Sequence, residues 1–320
     1  MFFEGSVKKA EIIVAHNNIN LLTDFDEAFW RKLVACCEAH ILSSIKNDVC
    51  HAYLLSESSL FVWSNRLLIL TCGTTSLVKS VEFFLQNIDA KQIKHLLYQR
   101  KNEYLAHAQS SYFGQDINQL QQYVNGKAMR FGHLDSHHNY VYHLINDYVA
   151  DPIDKTYELL AYQISDNASH TLSAENITAK AIRSFLQLDK LIPQFDTDDF
   201  VFDPYGYSLN AINNNEYFTI HVTPQAGSSY ISFESNLNLI LMAPAIIAIL
   251  EPNSIDVLTV NEQSFDALIK QHVNKCYVRQ SIVSKTLDNG YLMHFANFIR
   301  PQIKAIEPVD LDVSKDHLTL

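Results

Sequence analysis

At positions 57 and 58 a glutamate precedes a serine, flanked by strand-like apolar runs at 51–55 and 60–62. A serine hydroxyl lies beside the carbonyl of the residue before it. Where the backbone is strained, that hydroxyl can attack the carbonyl and exchange the peptide bond for an ester. β-Elimination then releases Glu57 as a new chain end and leaves dehydroalanine at 58, which hydrolysis converts to a pyruvoyl group. Such a ketone takes up a substrate amine and accepts the electrons left by decarboxylation, as pyridoxal phosphate does. The same tetrapeptide, Ser-Glu-Ser-Ser, also reads as a plain polar turn.

Turn lengths predict what faces this pair. If Ser64-Asn65-Arg66 is a hairpin loop between strands at 59–63 and 67–71, Ser58 falls opposite Cys72. A second hairpin over Asn213-Asn214-Asn215-Glu216, residues that tolerate left-handed turns, sets Ser208 opposite His221. Alternation along 217–223 places Thr219, His221 and Thr223 on the polar face. A neutral histidine suits the abstraction of an α-hydrogen at pH 7, although one strand histidine among 14 is more often structural. A thiol such as Cys72 can return a proton near neutral pH, whereas Cys36, Cys37, Cys50 and Cys276 read as small buried hydrophobes.

Further elements follow from periodicity. A strand is expected at 6–15, a helix at 27–44 capped by Asp24 or Asp26, a helix at 75–87 and strands at 93–98, 127–134 and 138–145. The polar stretch 103–125 reads as helical around Ile117, Leu120 and Tyr123. The second half repeats this layout, with strands at 154–165, 202–212, 217–223, 230–234 and 255–260, helices at 178–186, 237–250 and 263–273, and a strand pair at 275–297. Each half therefore reads strand, helix, several antiparallel strands, helix.

Composition bounds the partners. The 320-residue chain is 48% hydrophobic and 18% charged, enough apolar material for a large core. A net charge of -11 disfavours nucleic acid and suits a cationic ligand. Five cysteines without CxxC spacing indicate neither a metal site nor a disulfide framework, and a reducing cytoplasm is the simplest location. The apolar run 237–250 is too short to span a bilayer and contains Pro244, so no membrane association is expected.

The Phe2-Phe3-Glu4-Gly5 start, YLLSESSLFV at 53–62, TCGTT at 71–75, YQRKN at 98–102, DPYGYSLN at 203–210 and the segment 219–236 together resemble the eukaryotic-type, pyruvoyl-dependent S-adenosylmethionine decarboxylases. The resemblance runs from the first residues to about residue 261. It implies an α+β fold, a four-layer αββα sandwich of two antiparallel sheets with outer helices, internally duplicated and forming one domain over 1–320. It also implies self-cleavage into chains 1–57 and 58–320, with a covalent pyruvoyl cofactor derived from Ser58.

On the matching positions, Ser58, Cys72, Ser208, His221, Glu57 and Glu4 form the implied catalytic set. Phe3 and Phe202 match the pair that sandwiches an adenine, where aromatic faces suit the purine and the sulfonium. The resemblance implies that Glu57 contacts the purine edge. Gln225 stands where the family has a ribose-binding glutamate, and Val7 where it has a second glutamate; a glutamine oxygen still accepts one hydroxyl, which valine cannot. Glu11, Asp154, Thr156, Glu158 and Glu234 match an acidic site that binds the activator putrescine in some members, and the Asp-x-Thr-x-Glu spacing sets three of them on one strand face. Leu70 and Leu97 replace a lysine and an aromatic expected beside it. The same carboxylates equally form a structural network neutralised by Lys or Arg, as in members that ignore putrescine. A homodimer of processed units is compatible with this reading.

Three activities fit. The first is decarboxylation of S-adenosylmethionine for spermidine and spermine synthesis. The second retains the cofactor and acts on a basic amino acid such as ornithine or arginine. The third is a non-catalytic paralogue regulating an active subunit, against which Ser58, Cys72, Ser208 and His221 argue.

Overall fold

The computed structural model describes residues 7–16, 18–103, 106–134, 137–225, 228–273, 275–301 and 308. One antiparallel sheet holds β1 (Lys8–Val14), β2 (Ile41–Lys46), β3 (Cys50–Leu55), β4 (Ser58–Trp63), β5 (Arg66–Thr71), β6 (Ile93–Lys101), β7 (Gly126–Gly132) and β8 (His138–Leu144). Their order is β2-β3-β4-β5-β1-β6-β8-β7. The other sheet holds β9 (Thr156–Tyr162), β10 (Asp196–Val201), β11 (Tyr207–Asn213), β12 (Glu216–Thr223), β13 (Tyr230–Ser235), β14 (Ser254–Val260), β15 (Val278–Thr286) and β16 (Leu292–Ile299). Its order, β10-β11-β12-β13-β9-β14-β16-β15, repeats the first strand for strand, so the expected internal duplication is a property of the topology.

Helices cover the outer faces. The first sheet packs against α1 (Glu27–Cys36), α2 (Leu77–Gln86) and α3 (Phe113–Leu120) through Trp30, Leu33, Val81, Phe84 and Leu120. The second packs against α4 (Asp166–Leu172), α5 (Ala179–Phe185), α6 (Leu188–Leu191), α7 (Leu239–Leu250) and α8 (Phe265–His272) through Leu172, Ile182, Ile240, Ile247 and Phe265. A further apolar layer, including Phe61, Trp63, Leu68, Leu160 and Tyr217, lies between the sheets. These are the four expected layers. No helix among the described residues is long and apolar enough to cross a membrane.

Two-sided burial explains why β1 alternates only weakly as a sequence. All seven of its residues are buried, with Ala10, Ile12 and Val14 packed in the helix-covered core while Lys9 and Glu11 pair with partners on the second sheet and on β5. Burying one such aliphatic side chain contributes about 1.5–3 kcal/mol. The polar groups between the sheets contribute little stability unless each finds a partner.

Several expectations change. The helix expected over 27–44 ends at Cys36, where the cap is Cys37 and Glu38 takes a left-handed φ of 68°. The following β-branched and serine residues, Ile41 to Ile45, form edge strand β2, whose apolar positions mimic a helical stripe. Asp26 caps α1 through the Phe29 amide at 2.8 Å. The loop after β4 is one residue shorter than expected because Arg66 already belongs to β5. Ser58 therefore pairs with Thr71, and Cys72 lies opposite Glu57, its amide donating to the Glu57 carbonyl at 3.0 Å. The second hairpin holds as expected, with Ser208 opposite His221. Edge strand β10 and helices α4 and α6 have no counterpart in the sequence reading, and Asp154 precedes β9 instead of sharing its face.

Candidate active site

Two antiparallel hairpins meet between the sheets. From β4 comes Ser58, whose Oγ lies 2.9 Å from His221 Nε2 on β12. Across the second hairpin, His221 Nδ1 lies 2.9 Å from Ser208 Oγ. One imidazole thus bridges the serine that follows the candidate cleavage point and the serine predicted to hold the ester.

Consecutive residues of a regular strand point to opposite faces. Ser58 and Ser59 do not: the Ser59 hydroxyl also reaches His221 Nε2, at 3.3 Å. What permits this is a backbone φ of 135° at Ser58, in a region that side-chain-bearing residues rarely adopt. Such a residue stores roughly 1–3 kcal/mol of strain. Here the strain falls on the residue contributing the nitrogen of the Glu57–Ser58 bond.

Burial sets the state of the base. His221 is enclosed, and desolvation of its charged form pushes its pKa down from 6.5 to about 3. It is therefore neutral near pH 7, with one nitrogen free to accept a proton.

Glu57 and Cys72 sit at the mouth of this cluster. The Cys72 thiol lies 3.5 Å from the Glu57 carbonyl oxygen and 3.9 Å from Glu57 Oε2. Burial raises the Glu57 carboxyl above its ordinary value, and the Cys72 contact partly offsets this. Gly73, at φ 61°, turns the chain after β5 and accepts a hydrogen bond from Lys8 Nζ at 2.7 Å. The thiol therefore faces the carbonyl that Ser58 must attack, one position from where the longer loop set it.

The remaining expected contacts are spread around the same end of the sandwich. Phe202 is half-buried in the loop before β11, its amide donating to the Gly206 carbonyl at 2.9 Å and its ring edge-on to Phe200 at 4.9 Å. Gln225 follows the end of the neighbouring strand β12 and is half-buried. Phe3 and Glu4 lie outside the described residues.

Three further side chains take part, Thr219, Asn210 and Ser59, to which the sequence assigned no role. Thr219 Oγ1 is 3.1 Å from His221 Nε2, and Asn210 Oδ1 accepts hydrogen bonds from both Ser59 Oγ at 2.5 Å and Thr219 Oγ1 at 3.1 Å. The signal was available: Thr219 is two residues from His221 and Asn210 two from Ser208, so strand alternation puts each pair on one face.

The acidic residues also gather between the sheets, each with a cation from the chain itself. Lys9 Nζ lies 2.9 Å from Glu234 and 3.2 Å from Glu158, Lys101 2.6 Å from Glu158, and Arg66 3.2 Å from Glu11 while also binding Asp154. Burial opposes charge on Glu158, but Lys101 and Lys9 outweigh it and hold the carboxyl at about 2. At Glu234 burial prevails over Lys9 and raises the carboxyl to about 7, with the Tyr217 hydroxyl donating to it at 3.1 Å. Thr156 opens β9 two residues before Glu158.

A profile of the family described as adenosylmethionine decarboxylase matches residues 1–299. The chain belongs to the adenosylmethionine decarboxylase family. Its similar relatives include the S-adenosylmethionine decarboxylase proenzyme of Drosophila melanogaster, 33% identical over 74% of this chain and 76% of that protein. That of Xenopus laevis is 30% identical over 82% of this chain and 84% of its own length. The Leishmania donovani proenzyme is 30% identical over 73% of this chain and 66% of its own, so the match spans just under two thirds of that longer relative. Among solved structures, that of the Trypanosoma brucei AdoMetDC-delta26 monomer superposes with a TM-score of 0.59 at 17% identity, covering 76% of this chain and 99% of that one, a likeness of fold.

Proposed function

We propose that this chain cleaves itself between Glu57 and Ser58, carries a pyruvoyl group at position 58, and decarboxylates S-adenosylmethionine. The observation that carries the reading is the Ser58 hydroxyl 2.9 Å from the neutral His221 nitrogen on a residue held at φ 135°. A nucleophile, a neutral base and a strained residue occur together at one point of the chain.

Ser58 Oγ bonds to the Glu57 carbonyl carbon as the Glu57–Ser58 C–N bond breaks and the hydroxyl proton passes to the departing nitrogen, which gives the ester. His221 then removes the Ser58 α-hydrogen, the Cβ–Oγ bond breaks, and Glu57 leaves as a carboxylate. Water replaces the nitrogen of the resulting dehydroalanine, which departs as ammonia. Ser208, hydrogen-bonded to the far imidazole nitrogen, fixes the ring and its proton through both steps.

The residues fit such a group, since the strained position is bounded by Glu57, Cys72 and His221, and half-buried Phe202 and Gln225 flank the same end of the fold. When present, the pyruvoyl ketone supplies an electron sink for decarboxylation. Cys72 is the proton donor to the product carbon. Phe202, with Phe3, takes the adenine face, Glu57 its edge, and Gln225 a ribose hydroxyl. The relatives' shared designation as S-adenosylmethionine decarboxylase proenzymes favours this substrate over ornithine or arginine, and favours a processed precursor over an uncut regulator. Five cysteines, none in a disulfide, accord with a cytoplasmic protein.

Internal cations favour activity without putrescine. Lys9, Arg66 and Lys101 already pair the carboxylates that a diamine would bind, so a diamine would have to displace a buried lysine. The test of substrate is release of CO2 from carboxyl-labelled S-adenosylmethionine, ornithine and arginine by purified protein, with and without putrescine. Release from S-adenosylmethionine alone, unchanged by putrescine, is expected; release from ornithine or arginine alone would overturn the assignment.

A further inference from the structure

The burial that keeps His221 neutral also makes it a weak base, because the imidazolium it must become is desolvated. Taking the Ser58 α-hydrogen from the ester therefore calls for groups near Nε2 that will hold the arriving proton. Two hydroxyl oxygens stand there, Thr219 Oγ1 at 3.1 Å and Ser59 Oγ at 3.3 Å. Such a hydroxyl helps only if its lone pair faces the nitrogen. If it points its proton there instead, it occupies the lone pair that must take the α-hydrogen.

Asn210 decides between the two orientations. Its Nδ2 donates to the Tyr53 carbonyl at 3.0 Å, and because that carbonyl can only accept, the amide orientation is forced. Oδ1 then faces the hydroxyls, accepting from Ser59 at 2.5 Å and from Thr219 at 3.1 Å. Each hydroxyl has one proton, so both oxygens turn lone pairs toward Nε2. Asn210, Ser59 and Thr219 are each exposed by 1% or less, and no water competes for these bonds. Once the acyl shift has carried the Ser58 hydroxyl proton to the departing nitrogen, no hydroxyl donor remains on Nε2.

We propose that Ser59 and Thr219, oriented by Asn210, are positioning residues for the elimination step, in which they accept the N–H that forms on His221 Nε2. The Ser58 α-hydrogen moves to Nε2 as a proton, its electron pair becomes the Cα–Cβ double bond, and the Cβ–Oγ pair leaves with the Glu57 carboxylate. Ester formation comes earlier and does not use these oxygens. This deepens the self-processing reading and rests on it. The chain is translated in vitro and run on denaturing gels with and without hydroxylamine; chain that splits only with hydroxylamine is ester, and chain that splits without it has eliminated. Asn210→Ala is expected to form ester at the wild-type rate and to eliminate about 10-fold more slowly, the worth of one hydrogen-bond preference. Hydroxylamine-labile chain then builds up. Residues that merely hold the fold would slow ester formation as well. Ser59→Ala/Thr219→Val should give the same build-up, and adding Asn210→Ala to it should cost almost nothing more, with thermal unfolding confirming that each variant is folded. Thr219→Ser, which keeps the hydroxyl, should recover elimination relative to Thr219→Val. Elimination at the wild-type rate in Asn210→Ala or in the double variant, or ester formation slowed to the same extent as elimination, would overturn the proposal. A wild-type chain that never splits would instead remove the self-processing reading beneath it.

Discussion

Two polar clusters share the buried layer between the sheets, and they meet the cost of burial in opposite ways. Around His221 every group is neutral: three serines, a threonine, an asparagine and an imidazole whose charged form is suppressed. Around Glu158 the groups are ion-paired, with Lys9, Lys101 and Arg66 set against four carboxylates, of which Glu234 is raised to about 7. The charged cluster holds the larger electrostatic energies, yet nothing in it is strained and each ion has a counter-ion. The neutral cluster contains the residue at φ 135°, and a nucleophile beside an unspent base. Burial of polar groups therefore does not mark reactivity here; an unsatisfied backbone conformation next to a matched donor and acceptor does.

Substitutions should separate the two clusters. The largest effect is expected at His221, where replacement by Ala removes the base and stalls the chain at the ester; hydroxylamine then cuts the variant, and complete pyruvoyl formation without it would contradict the assignment. In the charged cluster, Lys9→Ala strands the buried Glu234 and leaves Glu158 with Lys101 alone, for an expected loss of about 3–5 kcal/mol in urea unfolding. Putrescine should recover part of that loss in the variant and do nothing for the wild type; stimulation of the wild type would show that the internal cations do not occupy the diamine's place. Cys72→Ala should mature to some degree but turn over slowly, by about 100-fold or more if the thiol is the donor; unchanged turnover would exclude that role.

A smaller, diagnostic difference concerns pH. Folding depresses the His221 pKa from 6.5 to about 3, so its stabilising contribution is complete above 6.5 and declines as pH falls toward 3. The rate of self-cleavage should accordingly stay level between about pH 5 and pH 8, where an exposed histidine would lose its base form through its ordinary pKa. Glu234 behaves oppositely. Its carboxyl is raised from 4.5 to about 7, so the stability it contributes is complete below 4.5 and is lost as pH rises through 7. A cleavage rate that falls off below neutrality would place His221 in contact with water.

Much of this was legible in the sequence. Alternation and turn chemistry placed Ser208 opposite His221, and the layout of elements gave two similar halves. The errors have local causes. A two-residue turn at Ser64-Asn65 in place of a three-residue one moved Cys72 from Ser58 to Glu57, since register follows loop length directly. The stripe through Ile41 and Leu42 carried no glycine to announce the end of α1, because Glu38 itself adopts the left-handed conformation. What periodicity and turn length could not supply was contact between halves, which only the family resemblance implied. Ser58 and His221 are 163 residues apart, and only the packing of one sheet on the other brings Lys9 to Glu158 and Asn210 to Ser59.

The central claim concerns one covalent event at Ser58. Its most direct test is the intact mass of freshly purified, folded protein before and after borohydride, with Ser58→Ala as the control. Two chains parting after Glu57, the longer one beginning with a carbonyl that takes up hydride, are predicted for the wild type and neither for the variant. A single uncut, unreactive polypeptide from the wild type would contradict the account.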